Sequence, residues 1–162
     1  MKTEIKNSIL AGIVFGFLFG IFLTIRYGFQ YALIASPISG FAFGIILYFF
    51  VTSKTVKKQT QIANVDEGAI IFSGGANHLK NGEGVGGKLY LLTDKLQFKS
   101  HSFNIQSHEL VIDIGKIKEV RTYNILGLIP TGLEIITTEG QSEKFVVNNR
   151  RQWKDEIDKI IF

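Results

Sequence analysis

The chain has 162 residues, 46% of them hydrophobic and 20% charged, and it contains no cysteine. That absence excludes disulfides, zinc–thiolate sites and cysteine nucleophiles. The formal charge of +4 sits wholly in residues 1–66, with six basic and two acidic residues, whereas residues 67–162 carry twelve of each. Basic charge gathered beside apolar segments reports membrane topology and argues against a nucleic-acid partner.

Residues 8–25 are an uncharged run of eighteen residues, and residues 29–51 one of twenty-three. At about 1.5 Å per residue they reach roughly 27 and 34 Å, against a hydrocarbon core of about 30 Å. Two such runs in near succession predict two transmembrane helices. Only Arg26, Tyr27 and Gly28 separate them, so the helices must form an antiparallel hairpin. Lys2 and Lys6 flank its start, and Lys54, Lys57 and Lys58 its end. The positive-inside rule then places both termini in the cytoplasm and Arg26 outside. No small-residue cleavage site directly follows the first run, which argues against a signal peptide. A short hairpin anchor of this kind suits a bacterial plasma membrane.

Small residues recur at every fourth position: Gly12, Gly16 and Gly20 in the first span, and Ala32, Ser36, Gly40 and Gly44 in the second. Such faces let helix backbones approach closely. They either hold the hairpin together or join hairpins of several chains into a homo-oligomer. Pro37 is expected to be absorbed locally in the second helix. No Asp, Glu, Lys or His lies inside either span, so the hairpin reads as an anchor and not as a transport route.

Residues 54–66 are polar and read as a basic juxtamembrane linker or an extension of the second helix, with Lys54, Lys57 and Lys58 in the headgroup zone. Beyond them the period changes. Residues 68–74 are a short apolar run. Residues 88–92 and 95–101 flank Thr93-Asp94, a natural hairpin turn. Leu96 and Phe98 alternate with Lys95, Gln97 and Lys99, and Leu110, Ile112 and Ile114 alternate again, the pattern of strands with one buried face. Further strands are expected at residues 120–125, 133–138 and around Phe145, Val146 and Val147, with a turn at residues 138–141. Residues 148–162 switch to helical spacing, with Trp153, Ile157 and Ile160 or Ile161 on one face and Asn148 or Asn149 as the cap. About seven antiparallel strands closed by one amphipathic helix make a small barrel or bent sandwich in an α+β chain. The expected division is 1–53 for tail and hairpin, 54–66 for the linker and 67–162 for the domain.

The stretch Gly87-Lys88-Leu89-Tyr90-Leu91-Leu92-Thr93-Asp94-Lys95-Leu96-Gln97-Phe98 resembles a GRAM domain, a member of the pleckstrin-homology-like superfold. That family has a strand pair of the form G-x-L-Y-L-T-x-x-R-L-x-F. Here Lys95 stands for the arginine, and an extra leucine precedes the threonine. The likeness continues through Asp113-Ile114-Gly115-Lys116-Ile117, Gly132-Leu133-Glu134-Ile135, Phe145-Val146-Val147 and Arg151-Gln152-Trp153, over residues 67–161. It implies a seven-stranded, strongly bent sheet capped by the C-terminal helix. It also implies a non-catalytic module that binds lipid headgroups or protein partners. The inositol-phosphate site of pleckstrin-homology relatives would fall around the first hairpin, where this chain offers Lys80, Lys88 and His78, diluted by Glu83.

The glycine-rich residues 81–88 match two phosphate-loop patterns, through Gly82, Gly84 and Gly87 and through Gly82, Gly87 and Lys88. Both patterns need a helix to follow, and here a strand follows, so no nucleotide is expected and the glycines read as a flexible inter-strand loop. His78, His101 and His108 are scattered, without helical i, i+4 spacing, and read as surface residues with no metal. No serine sits in a nucleophile elbow. The chain is therefore not expected to be an enzyme and needs no cofactor. The run Ile125-Leu126-Gly127-Leu128-Ile129-Pro130 is apolar where polar residues are expected. It either packs on the barrel or is an exposed loop that meets the bilayer or a partner, with Lys118 and Arg121 before it suited to an anionic headgroup. The expected function is a membrane-anchored binding module engaging lipid headgroups or a protein. The alternative is a protein-interaction scaffold that oligomerises through Gly12, Gly16, Gly20, Ser36, Gly40 and Gly44.

Overall fold

The computed structural model describes residues 3–62 and 67–161, in two compact units, Met1–Lys58 and Gln59–Phe162. Part of the expected linker, residues 63–66, lies outside the described residues.

The first unit holds α1 (Thr3–Tyr27) and α2 (Phe29–Thr52), each long and apolar enough to cross a membrane. The link is shorter than expected. Helix α1 continues through Arg26 and Tyr27, and Gly28 alone breaks it, at φ 93°. That left-handed conformation is open to glycine without steric cost. The small-residue faces meet each other. A Cβ on Gly12 would lie 2.7 Å from the Gly40 carbonyl oxygen and 3.2 Å from the Gly44 Cα. One on Gly16 would lie 3.0 Å from the Ser36 carbonyl oxygen, and one on Gly20 2.8 Å from Ser36 Oγ. Backbone thus packs on backbone, which needs no hydrophobic driving force. Most of the large side chains, among them Leu10, Ile13, Phe17, Ile34 and Phe41, point outward and are exposed, Leu23 being buried. A short helix α3 (Lys54–Thr60) follows; Ser53 breaks the path from α2, so the basic segment is a separate helix.

In the second unit a 3-10 turn (Glu67–Ala69) leads into seven strands: β1 (Ile70–Lys80), β2 (Glu83–Leu92), β3 (Lys95–Ser100), β4 (Glu109–Asp113), β5 (Ile117–Ile125), β6 (Ile129–Thr137) and β7 (Ser142–Val147). Helix α4 (Arg150–Ile161) closes the unit. The strands form one curled antiparallel sheet in the order β4-β3-β2-β1-β7-β6-β5. This is the bent sheet with a terminal helix that the resemblance implied. The alternating residues Leu89, Leu91, Leu96, Phe98, Ile112, Leu133, Ile135 and Phe145 fill its concave side, and α4 seats Trp153 and Ile157 among them. Asn149, at φ 53°, turns the chain between β7 and α4, and its carbonyl accepts the first helical bond from Trp153 N at 3.2 Å.

Two strands are longer than their patterns predicted. β1 runs on to Lys80, and the expected glycine loop at 81–88 is almost all strand. Only Asn81 (φ 52°) and Gly82 (φ 81°) turn the chain, and Glu83 onward pairs with β1. Two adjacent left-handed residues make the tight hairpin turn whose twist matches the strands. Gly86 and Gly87 are bare for packing reasons. A Cβ on Gly87 would lie 2.7 Å from both the Phe98 ring and the Ser100 Cα, and closer still to the Lys99 carbonyl oxygen. Across the outer face, Tyr90 is buried and donates its hydroxyl to the Thr60 carbonyl at 2.8 Å.

Gly87→Ala should therefore destabilise the domain by about 1–3 kcal/mol, the usual range for overpacking. Thermal unfolding followed by the emission of Trp153, the only tryptophan, would measure it on the full chain.

Candidate functional site

Strands β5 and β6 end in a hairpin tip that carries the apolar run. Leu128 N donates to the Ile125 carbonyl at 3.1 Å, and Gly127 N to the Asn124 carbonyl at 3.2 Å. Leu126 (φ 51°) and Gly127 (φ 74°) occupy the two left-handed positions. The run does not pack on the barrel. Leu126 is 88% exposed, Leu128 83% and Ile129 50%; only Ile125 is half-buried. A branched side chain in the left-handed region costs roughly 1–2 kcal/mol. Asn or Gly is the ordinary occupant of such a position, so Leu126 is present at the expense of the turn.

The base of the tip is braced from three sides. Tyr123 lies across Gly132 of β6, where a Cβ would meet its ring at 2.7 Å. Arg150, at the start of α4, donates Nη1 to the Tyr123 carbonyl and to Asn124 Oδ1, the latter at 2.9 Å. Lys144 of β7 sits 5.8 Å from the Tyr123 ring centroid, a cation–π distance. Burial and the nearby Glu134 carboxylate raise the Tyr123 phenol above its ordinary value.

Of the basic residues picked from the sequence, Arg121 gives its Nε and Nη2 to Glu119, at 2.7 Å each, which holds the Glu119 carboxyl below its ordinary range. Its charge is thus shared within β5 and not turned toward the tip. Lys118 is exposed at a register irregularity between Ile117 and Glu119. Lys54, Lys57 and Lys58 lie on α3. The structure brings together Ile125, Leu126, Leu128 and Ile129, and adds Tyr123, Lys144 and Arg150, which sequence reasoning missed. Pairing of Gly132 with Val146 is what brings the end of β7, and so α4, beside the tip, and no local pattern encodes that.

The first hairpin is not a basic cluster. Lys80 pairs with Glu83 across the turn, and Lys88 Nζ lies 4.6 Å from the Tyr90 ring centroid. His78 is not a surface residue, contrary to expectation. It is 2% exposed, against Phe98 and Phe145. Its Nε2 lies 2.7 Å from Glu143 Oε2, and its Nδ1 2.8 Å from His108 Nε2. A carboxylate only accepts, so His78 donates from Nε2 to Glu143, while its Nδ1 and His108 Nε2 share one proton between them. Burial holds His78 below its ordinary value, Glu143 pulls it up, and the charges of His108 and Lys80 push it down again. His101 is also lowered, by burial. Among the described residues no three His, Asp or Glu side chains are arranged to hold a metal.

No family model and no curated protein matches the chain. Among solved structures, the C-terminal domain of an unknown protein from Leishmania infantum is similar over 57% of this chain and 83% of that one, at 14% identity and a TM-score of 0.50. The Slm1 PH domain in complex with phosphoserine matches over 57% of this chain and 96% of that one, at 11% identity and a TM-score of 0.47. The same domain with inositol-4-phosphate matches over 58% and 97%, at 10% identity and 0.46. At such identities the likeness is one of fold and not of site.

Leu126→Asn is expected to stabilise the domain by up to about 1 kcal/mol, by relieving the left-handed leucine; Trp153 emission on unfolding measures it. The lowered histidines set a sign for pH. Between the folded value and the ordinary one, about 6.5, the unfolded chain binds more protons. Their contribution is complete above about pH 6.5 and is lost as the pH falls through the folded value. The midpoint temperature of unfolding should fall as the pH is taken from about 7 to about 5, and less steeply in His78→Phe.

Proposed function

We propose that the chain is a membrane-anchored, non-catalytic GRAM-like module that engages lipid headgroups or a protein at the cytoplasmic face, with both termini on that side. The observation that carries this reading is the outward-facing surface of α1 and α2. Their large apolar side chains are exposed along both helices while their small residues are spent on each other. A bilayer is the solvent in which such a surface is satisfied. The same packing weakens the scaffold alternative, because oligomerisation would have to use faces other than Gly12, Gly16, Gly40 and Gly44. The basic helix α3 adds attraction to an anionic leaflet, on the order of 1 kcal/mol per charge near the surface. Tethering raises the effective concentration of the domain at the membrane, so weak intrinsic affinity suffices.

The full chain should stay in the membrane pellet through alkaline carbonate and high salt and leave it only with detergent. Release by carbonate overturns the anchor. Residues 59–162 alone should co-sediment with anionic vesicles at low salt and less at high salt. Binding to no vesicle overturns the headgroup reading and leaves a protein partner.

A further inference from the structure

The β5–β6 tip has a composition and setting that neither the fold nor a headgroup pocket explains. Residues 122–132 contain no charge. Their crown is Leu126, Leu128 and Ile129, all aliphatic and all exposed. Protein-binding hot spots favour Trp, Tyr and Arg, with leucine under-represented. An aliphatic crown without an aromatic anchor fits hydrocarbon better than a protein pocket.

The collar below the crown is cationic. Arg150 is fixed to the base by Asn124 and the Tyr123 carbonyl, Arg151 follows it in the first turn of α4 and is exposed, and Lys144 stands over Tyr123. Glu134 is the acidic group of this collar, 3.7 Å from Lys144 and bonded by Ser142 Oγ at 2.6 Å. Arg150 and Arg151 open a helix whose first turn has no acidic residue, although a helix N-terminus favours anions. Leucine in a left-handed turn and arginines at a helix start are two departures from local folding preference within one patch. Such departures concentrate where function, not folding, chooses the residue.

We propose that this tip is a membrane wedge: Leu126, Leu128 and Ile129 enter the acyl region of the bilayer, while Arg150, Arg151 and Lys144 stay at the level of the phosphates. The inference rests on the anchored reading and assigns the bilayer contact to one hairpin. An aliphatic tip over a basic collar is the arrangement by which interfacial segments hold to anionic lipid. Strand directions put the tip at the opposite end of the sheet from the β3–β4 loop, whose exposed Ile105 provides an internal comparison.

The test places tryptophan at each end of the domain. Full-length Leu128→Trp and Ile105→Trp are reconstituted in anionic vesicles whose lipids carry bromine on the acyl chains. Both positions are open, at 83% and 94% exposure, and buried Trp153 gives the wild-type baseline. Flotation with the vesicles is checked first. The expected result is loss of emission at position 128, none at 105, and recovery at 128 when Arg150 and Arg151 are both changed to Glu. Flotation without quenching at 128 overturns the wedge and leaves the anchor standing; blue-shifted but unquenched emission from the Leu128→Trp indole would then place protein over the tip. Equal quenching at both positions overturns the assignment to this hairpin. A chain that does not float overturns the anchor and the wedge with it.

Discussion

Trp153 is the residue on which the domain closes. A curled sheet buries one face against itself but leaves an open mouth. Here the mouth is filled by a single indole, 1% exposed, with Ile157 beside it. Gly74 of β1 has no side chain at the point of contact, where a Cβ would stand 3.5 Å from the indole, and Phe72 meets it edge-on at a centroid distance of 4.6 Å. Aromatic pairs of this geometry add to their area burial. By anchoring α4, Trp153 also fixes its first residue, Arg150, against the β5–β6 hairpin. The core and the candidate site thus share one mechanical element.

The first unit solves a different problem with different chemistry. Its helices gain nothing by hiding large side chains from each other if lipid is the solvent. Close contact is made by backbone, through Gly12, Gly16 and Gly40, where a side chain of any size would collide, and Phe15 stacks on Phe43 beside it at a centroid distance of 4.5 Å. The charge pattern follows the same division of labour. The hairpin and α3 hold the whole excess of positive charge, and the domain is formally neutral.

What was legible in the sequence depended on whether side chains alternate. The two long helices were plain because eighteen and twenty-three residues pass without a charge. Strand β3 was plain because Leu96 and Phe98 alternate with Lys95, Gln97 and Lys99, and β4 because Leu110 and Ile112 share one face between Glu109 and Asp113. The start of β2 was not, because Gly84, Gly86 and Gly87 have no side chains to alternate; this looked like a loop, but at Gly87 it reflects the approach of the Phe98 ring and at Gly86 that of His101, beside Asn104, which bonds both backbone groups of Gly86. The second half of β1 was hidden because its buried positions are the small Ala76 and His78, a polar residue made tolerable by Glu143, sixty-five positions away. At the site, the apolar run at 125–130 stood out as an anomaly, but its basic collar comes from β7 and α4 and needed the sheet pairing to appear.

The seam between the two halves of the sheet has a kinetic consequence. β1 meets β7 only from Ala76–Val147 to Leu79–Lys144, a pairing that closes a loop of about seventy residues, whereas β1 to β4 are joined by successive hairpins. Loop closure of that length is slow to be repaid by contacts. The first four strands can assemble while the chain is being made, but with the inward side of β1, including His78, still open. For that interval the half-sheet has an unpaired edge of the kind that invites association with other chains.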